Sequence, residues 1–200
     1  MSATPNGVAL VSGARGGIGR EVVARLRAAG LRVAAVGRDA VPLATVEADA
    51  RIVADTTTPE GSATALPSCR SMLGAAPSSP AHCVGSTLIV PLHRTGADAY
   101  REVMRVNLDS AVYMLQARVQ AQRADELSGA AVLAPSVVAR IGVANHDAIA
   151  AAKVGVEALA RNAAATAAHG LRVNVVAPGL TETPLTTDML RLPAVRPLVK

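Results

Sequence analysis

Aromatic side chains are almost absent from this chain, which has two tyrosines and neither phenylalanine nor tryptophan among its 200 residues. Because single-stranded nucleic acids are held largely by bases stacking on aromatic side chains, this composition argues against nucleic-acid binding. Half of the residues are hydrophobic; most are Ala and Val, which suit close packing of helices on a sheet. The length is sufficient for one domain with a sizeable core, and we expect residues 1–200 to form one.

Cysteines and long apolar runs are also scarce. Cys69 and Cys83 do not have the spacing of a metal site, so we expect free thiols in a reducing cytoplasm and no bound metal. No uninterrupted apolar run approaches the roughly 18 residues that a membrane-spanning helix needs. The first apolar segment is short and lacks a basic leader, which predicts a core strand rather than a signal peptide. We therefore expect a soluble cytoplasmic protein.

Glycines, in contrast, are concentrated near the start of the chain. An apolar run at 8–11 predicts a buried strand, Gly13, Gly17 and Gly19 follow it, and a helix-period apolar pattern comes next. Glycine lets the backbone turn tightly and approach a pyrophosphate, which the N–H groups and the positive dipole end of the helix attract. The alternative is a tight turn that binds nothing. The flanking strand and helix favour a nucleotide site.

Strand and helix patterns alternate along the remainder. Further strands are predicted at 31–36, 51–54, 81–85, 130–134 and 171–177. Long helices are predicted at 97–124 and 147–169, with Asn145 as a possible N-cap and Gly170 as the stop. The stretch at 56–80 is interrupted by prolines, which we interpret as breaks, and predicts only a poor helix near 62–66; they are Pro59, Pro67, Pro77 and Pro80. This alternation predicts an α/β fold, a doubly wound parallel sheet of the Rossmann type in a single domain.

The end of the second predicted strand bears on the choice of nucleotide. A carboxylate there favours a free ribose 2′-hydroxyl, whereas an arginine suits a 2′-phosphate. Gly37 and Arg38 occupy this place, with Asp39 one residue later, so NADP(H) is favoured and NAD(H) remains possible. Arg15, within the glycine turn, is either a second phosphate contact or a surface arginine.

These pieces together resemble the short-chain dehydrogenase/reductase family over essentially the whole chain. Residues 12–19 match its T-G-x-x-x-G-x-G turn, with Ser12 for Thr, and residues 82–85 keep only the glycine of its N-N-A-G stretch. The resemblance implies homodimers or homotetramers, a small-molecule substrate and a nicotinamide cofactor. The positions it implies for cofactor binding are Gly13, Arg15, Gly17, Ile18, Gly19, Arg38, Asp55, Gly85, Lys153, Pro178, Gly179, Thr181 and Thr183. Among them, Asp55 matches the acid that lies near the adenine in the family.

The catalytic positions are implied by the same resemblance. Lys153 matches the family's lysine, Ser136 its substrate-polarising serine, and Asn107 its structural and proton-relay asparagine. A buried asparagine must be hydrogen-bonded, so Asn107 either fastens a kink or supports a site. The family's acid/base tyrosine is replaced by Ile149, which cannot donate a proton.

Two interpretations of this replacement remain open. In the first, another group supplies the proton, and the candidates are His146, Asp147 or a water relayed through Lys153. His146 could instead be a capping or surface histidine without a catalytic role. In the second, the chain binds nucleotide, does little chemistry and acts as an oligomeric partner. Residues 180–200 match only a truncated substrate-loop region, so the family's last strand is expected to be missing and the substrate is not predicted.

Overall fold

The structure is a computed structural model, and it describes residues 7–125, 128–166 and 170–191. Six parallel strands form one sheet in the order β3-β2-β1-β4-β5-β6. The strands are β1 Val8–Ser12, β2 Arg32–Gly37, β3 Ala50–Val53, β4 Ser79–His82, β5 Gly129–Leu133 and β6 Leu171–Val175. The predicted six-stranded doubly wound sheet is confirmed. Its strand order reverses between β1 and β4, and a crevice at such a switch point is where α/β sheets bind ligands.

Helices cover both faces of the sheet. They are α1 Gly17–Ala28, α2 Ala40–Ala44, α3 Pro59–Leu73, α4 Ala97–Met104, α5 Ser110–Asp125, α6 Asp147–Thr166 and α7 Thr187–Leu190. Alternate side chains of β1 point to opposite faces: Val8 and Leu10 pack with the core of α3 and α5, whereas Ala9 and Val11 pack with that of α1. Since β1 is buried on both sides, its residues 8–11 are a continuous apolar run.

The prediction of a short, poor helix near 62–66 is wrong, because α3 covers Pro59–Leu73. Thr58 caps it by accepting the Gly61 N–H at 3.1 Å, and Gly74, with φ of 72°, ends it. Pro67 lies inside the helix and removes one backbone hydrogen bond. Burial of the helix's apolar side chains against the sheet outweighs that loss; they include Ala65, Leu66, Cys69 and Leu73.

Strand β4 begins two residues earlier than the predicted 81–85. Pro80 was interpreted as an interruption, yet it pairs in register with Leu10. It is the second residue of the strand, and proline is tolerated close to a strand's start. The hydrogen bonds on either side come from Ser78 N to Val8 O at 3.0 Å and from Cys83 N to Ser12 O at 2.9 Å.

The predicted helix at 97–124 is interrupted by a π-turn, Arg105–Asp109, between α4 and α5. A π-turn widens the backbone hydrogen-bond spacing to i→i+5, which leaves nearby carbonyls without their usual partners. Two side chains fill these places: the Asn107 amide donates to Val103 O at 2.9 Å, and the Ser110 hydroxyl donates to Val106 O at 2.6 Å. Both groups are buried. Their polar side chains therefore stabilise the irregular turn.

Helix α6 was predicted at 147–169; it begins at Asp147 as expected and is described to Thr166, while 167–169 lie outside the described residues. Asn145 was expected to be its N-cap, but Asn145 has a φ of 63°. His146 instead precedes the helix and its carbonyl accepts the Ala150 N–H at 2.8 Å. None of the helices within 7–125, 128–166 and 170–191 combines the length and apolar character that a bilayer crossing requires.

Candidate active site

The glycine turn between β1 and α1 is compact because its glycines have no side chains. Gly13 has a φ of 71°, and a Cβ there would lie 2.7 Å from the backbone carbonyl of Cys83. A Cβ on Gly19 would collide with the carbonyl oxygen of Gly13, and the Gly16 N–H donates to that same oxygen at 3.0 Å. The first turn of α1 contains no acidic residue. The turn therefore offers an electropositive helix end to an anion.

The segment after β6 lies against this turn. A Cβ on Gly17 would be 2.6 Å from Cγ2 of Thr183, so Thr183 contacts the beginning of α1. The Thr183 backbone N–H donates to the Thr186 hydroxyl at 3.0 Å, and that hydroxyl donates to the Thr181 carbonyl at 2.6 Å. The structure thus brings predicted residues from both ends of the chain together. Pro178 contributes its carbonyl, which accepts the Val137 N–H at 3.1 Å.

Lys153, Asn107 and Gly85 converge at the carboxyl end of β4. A Cβ on Gly85 would lie 3.4 Å from Nζ of Lys153 and 3.2 Å from Oδ1 of Asn107. Nζ of Lys153 donates to the Ala134 carbonyl at 3.0 Å, just after β5. Asn107 Oδ1 accepts the Ser86 N–H at 3.2 Å. Asn107 therefore fastens the π-turn, and it also bonds to the loop that borders Lys153.

The Lys153 ammonium is buried, with 8 % of the residue exposed. Burial lowers its pKa to about 8, an effect that Cys83 partly opposes. A lysine with a pKa near neutrality exists in both protonation states under physiological conditions. Lys153 can therefore give and take a proton, in addition to donating hydrogen bonds.

Ser136 lies at the start of a short 3₁₀ turn, Val137–Ala139. Its hydroxyl accepts the Val138 N–H at 3.4 Å and lies 3.5 Å from the Pro178 carbonyl. Both contacts are long for hydrogen bonds, so the hydroxyl is held only loosely. Ser136 follows Ala134, the hydrogen-bond partner of Lys153, by two residues, which brings it to the same edge of the sheet.

Ile149, which the family resemblance puts at the tyrosine position, lies one helical turn before Lys153. It is 5 % exposed and packs in an apolar cluster with Val103, Ala148 and Ala152. His146 is seven residues before Lys153, which is about 10 Å along a helix axis. Its Nδ1 is bonded to the Ala144 carbonyl at 2.7 Å. That distance and this local bond weigh against direct proton transfer between His146 and Lys153.

The outer end of the crevice is a network of charged groups. The Asp55 carboxylate accepts the Thr57 hydroxyl at 2.7 Å and the Thr57 N–H at 3.0 Å. Burial opposes ionisation of Asp55, but these hydrogen bonds and the charges of Arg105 and Arg38 outweigh it and lower the pKa of Asp55. Arg38 is exposed and lies 3.6 Å from Asp39, and Arg15 is also exposed. Arg105 was not among the residues predicted for the site, although it lies two residues before Asn107 on a predicted helix.

The buried histidine His82 was not among the predicted residues either. His82 lies between two serines, with Nδ1 2.7 Å from the Ser12 hydroxyl and Nε2 2.9 Å from the Ser110 hydroxyl. It occupies the first position of the stretch that matches N-N-A-G. The side chains of β1, β4 and α5 are therefore joined by one hydrogen-bonded chain directly beneath the crevice. The signal was present in the sequence, since a polar residue stood where the family has an asparagine.

Comparison with known proteins agrees with this geometry. The model of the short chain dehydrogenase family matches residues 7–191. The chain belongs to the short-chain dehydrogenase family. Cis-4-hydroxycyclohexanecarboxylate dehydrogenase of Sinomonas cyclohexanicum is 39 % identical over 100 residues, which are 50 % of this chain and 40 % of that enzyme. The (3R)-3-hydroxyacyl-CoA dehydrogenase of Canis lupus familiaris is 33 % identical over 195 residues, covering 90 % of this chain and 75 % of that one.

Solved structures are similar as well. A short-chain type dehydrogenase/reductase from Mycobacterium ulcerans superimposes with a TM-score of 0.90 at 25 % identity, over 98 % of this chain and 75 % of that chain. The expected family and fold are confirmed. The chain is a dehydrogenase or reductase of the short-chain type, and a nicotinamide nucleotide is its class of cofactor.

The residues present fit such a cofactor. The glycine turn brings backbone segments closer together than any Cβ would allow, and the helix that it begins carries no acidic residue in its first turn. Gly85 likewise leaves its space beside the Lys153 ammonium. Asp55 and Arg38 lie at the ends of the neighbouring strands. If a dinucleotide lay along this edge of the sheet, the N–H groups of the glycine turn would face its pyrophosphate, and the Lys153 ammonium would face its nicotinamide ribose.

Proposed function

We propose that this protein transfers a hydride between NADP(H) and a carbonyl or secondary alcohol, with Lys153 performing the proton transfer that tyrosine performs elsewhere in the family. The observation that supports this most is the buried Lys153 ammonium, which borders Gly85 and Asn107 and has a pKa lowered to about 8. The bound nicotinamide would supply or accept the hydride. The protein would supply the proton, the orientation and the exclusion of water.

In the direction of reduction, the carbonyl oxygen would accept a hydrogen bond from the Ser136 hydroxyl. As the carbonyl carbon gains the hydride, the oxygen would take a proton from Nζ of Lys153, directly or through one water. The neutral amine would then be reprotonated from solvent along the polar groups of Asn107 and Ser86, which are 3.0 Å apart. In oxidation, the neutral amine would take the alcohol proton. A positioned acid or base is worth about 10²- to 10⁴-fold in rate.

The segments that follow the carboxyl ends of three strands bear exposed apolar side chains. Large hydrophobic residues are exposed on the segments that follow β4, β5 and β6: Ile89, Leu92, Ile141, Val143 and Leu185. The backbone bond from Val90 N to Asn145 O, 3.0 Å long, joins two of these segments. Such a surface suits a substrate with an apolar body. The relative that acts on a (3R)-3-hydroxyacyl-CoA suggests 3-oxoacyl thioesters as the first substrates to test.

The nucleotide preference can be measured separately from turnover. Titration with NADPH and NADH, followed by nicotinamide fluorescence, should show tighter binding of NADPH. Arg38→Ala should weaken NADPH by about 10-fold or more, the value of a charge-assisted hydrogen bond, and should change NADH little. Arg25→Ala is the matched control, because Arg25 is an exposed arginine paired with Glu21 on α1. Equal losses for both nucleotides would contradict the role of Arg38.

The proton-transfer role requires a comparison of rates. With acetoacetyl-CoA and NADPH, Lys153→Met should lower kcat by about 10²-fold or more, and Ser136→Ala should lower it as well. In the parent, the rate of reduction should fall above pH 8, since the ammonium form of Lys153 is the donor. A Lys153→Met variant with unchanged kcat and weakened nucleotide binding would show that Lys153 only holds the cofactor.

One observation favours a second function. Ile149 is packed in an apolar cluster at the tyrosine position, as expected of a nucleotide-binding protein that acts as an oligomeric partner and does little chemistry. In that case NADPH would bind, no tested carbonyl would turn over faster with the parent than with Lys153→Met, and the protein would sediment as a dimer or tetramer. Measurable, Lys153-dependent turnover would exclude this second function.

A further inference from the structure

Arg105, the first residue of the π-turn, is held in one plane at the outer end of the crevice. Its Nε and Nη2 donate to the two carboxylate oxygens of Glu102 at 2.7 and 2.8 Å. Its Nη1 donates to the Thr57 hydroxyl. A guanidinium donates within its own plane, so these bonds occupy its edges and fix its orientation. The side chain remains 37 % exposed, and a flat face can therefore meet a ligand.

The position of this guanidinium is set by the groups around Asp55. Thr57, which accepts from Arg105, donates to Asp55 at 2.7 Å. The Arg105 and Arg38 charges both act on the Asp55 and Glu102 carboxylates. The ends of β2 and β3 and the π-turn therefore converge on one site. Asp55 is the acid that the family resemblance puts near the adenine.

We propose that the Arg105 guanidinium is the surface on which the adenine ring of the dinucleotide stacks. Arginine stacks on π-systems through the face of its planar cation. In a chain without Phe or Trp, a guanidinium fixed in one plane supplies the flat surface that an aromatic ring supplies elsewhere. Glu102 and Thr57 act as positioning residues, because they hold the plane before the ligand arrives and so reduce the ordering that binding requires. The inference rests on the proposed function only in that the chain must bind an adenine dinucleotide.

The test uses fragments that carry one half of the dinucleotide each. AMP and reduced nicotinamide mononucleotide are titrated into the purified parent and its variants by calorimetry, with NADPH as the complete ligand. Arg105→Ala should weaken AMP and NADPH by about 5- to 150-fold, the range for losing one base-stacking contact, and leave the nicotinamide fragment unchanged. Arg105→Lys should lose as much as Arg105→Ala, since an ammonium keeps the charge but has no planar face.

A matched control is available on α4. Arg101 pairs with Asp98 at 3.0 Å and i,i+3 spacing on the exposed surface, the same spacing that joins Arg105 to Glu102. Arg101→Ala should bind every ligand as the parent does. Glu102→Gln should bind AMP between the parent and Arg105→Ala, because it loosens the plane without removing it. Urea unfolding of each variant shows that the fold is retained.

Three results would overturn the inference. Unchanged AMP binding by Arg105→Ala would show that the adenine does not use this residue. Full AMP binding by Arg105→Lys would show a contact of charge alone. Equal weakening of AMP and the nicotinamide fragment would show general damage to the crevice. If instead the parent and Arg101→Ala bound neither NADPH nor AMP, the proposed cofactor would be wrong, and the stacking role would fail with it.

Discussion

His82 makes the fold sensitive to acid. The Ser110 hydroxyl donates to Val106 O at 2.6 Å, so its oxygen accepts from Nε2–H of His82, and Nδ1 accepts from the Ser12 hydroxyl. The ring is therefore neutral with a defined tautomer. Burial first, and the nearby Lys153 charge second, lower the pKa of His82 to about 3 from an ordinary 6.5. Protonation in place would bury a charge beside another cation.

The size of the effect follows from linkage between protonation and folding. When a folded-state pKa is depressed, the unfolded chain binds the proton first, so stability is present above the unfolded pKa and is lost as the pH falls towards the folded pKa. For His82 this range runs from pH 6.5 down to about 3. At pH 5 the unfolded histidine is charged and the folded one is neutral. The free energy of unfolding is then lower than at pH 7 by about 2 kcal/mol.

Urea unfolding at pH 5, 6 and 7 measures this loss. Because the chain has no tryptophan, far-UV circular dichroism is the suitable signal. With an m-value of about 2–3 kcal/mol/M, a loss of 2 kcal/mol moves the urea midpoint down by about 0.7–1 M. Asp55, whose pKa is lowered, responds below this pH range. Lys153, with a pKa of about 8, responds above it.

His82→Asn is the control, since asparagine can bond to both serines and does not titrate. The variant should keep an almost constant midpoint between pH 7 and pH 5, whatever its stability at pH 7. If the parent and His82→Asn lose the same stability over this range, the buried histidine is not the cause. A His82 ring resonance that titrates near pH 6.5 in the folded protein would also refute the reasoning.

Further predictions concern the glycine turn and a buried carboxylate. Gly13 and Gly30 both have positive φ, but a Cβ on Gly13 would meet backbone at 2.7 Å, whereas one on Gly30 would meet nothing within 4 Å. Gly13→Ala should therefore abolish soluble expression. Gly30→Ala should lower the free energy of unfolding by only about 1 kcal/mol, measured by thermal unfolding. Glu157 is 7 % exposed and accepts Nε of Arg140 through both oxygens at 3.1 Å. Glu157→Gln should lower the urea midpoint by an amount equivalent to about 1–3 kcal/mol, whereas Glu21→Gln, in an exposed pair, should cost under about 1 kcal/mol; equal midpoint shifts for the two variants would contradict the role of the buried Glu157 carboxylate.

The strands and the glycine turn could be predicted because burial and backbone conformation act directly on residue type. Residues 8–11 and 33–36 are apolar because both faces of their strands are covered there. Gly13 must be glycine because of its φ and its neighbours. The meeting of Lys153 with Asn107 could be expected from the family resemblance, which supplies the long-range register that local patterns lack.

The remaining features depend on contacts distant in sequence. Pro67 and Pro80 were interpreted as breaks, although core packing retains one within a helix and pairing retains the other in a strand. The π-turn is a change of hydrogen-bond register, and residue types alone did not reveal it. The Arg105 network joins residues 48 positions apart, and no local pattern connects them.

The π-turn between α4 and α5 is a place where the orientation of side chains can change while the packing of both helices is retained. Each hydrogen-bonded turn of a π-helix contains one residue more than a turn of α-helix, so Arg105–Asp109 is in effect a one-residue insertion that the helix absorbs locally. Removing one residue there would create a continuous α-helix with α4 and α5 in nearly the same phase, a milder change than a deletion elsewhere in either helix. The shortened protein would keep its core, while Arg105 and Asn107 would no longer both face the crevice. Insertions and deletions at this point would therefore move the residues proposed to meet the two ends of the nucleotide without a change of fold.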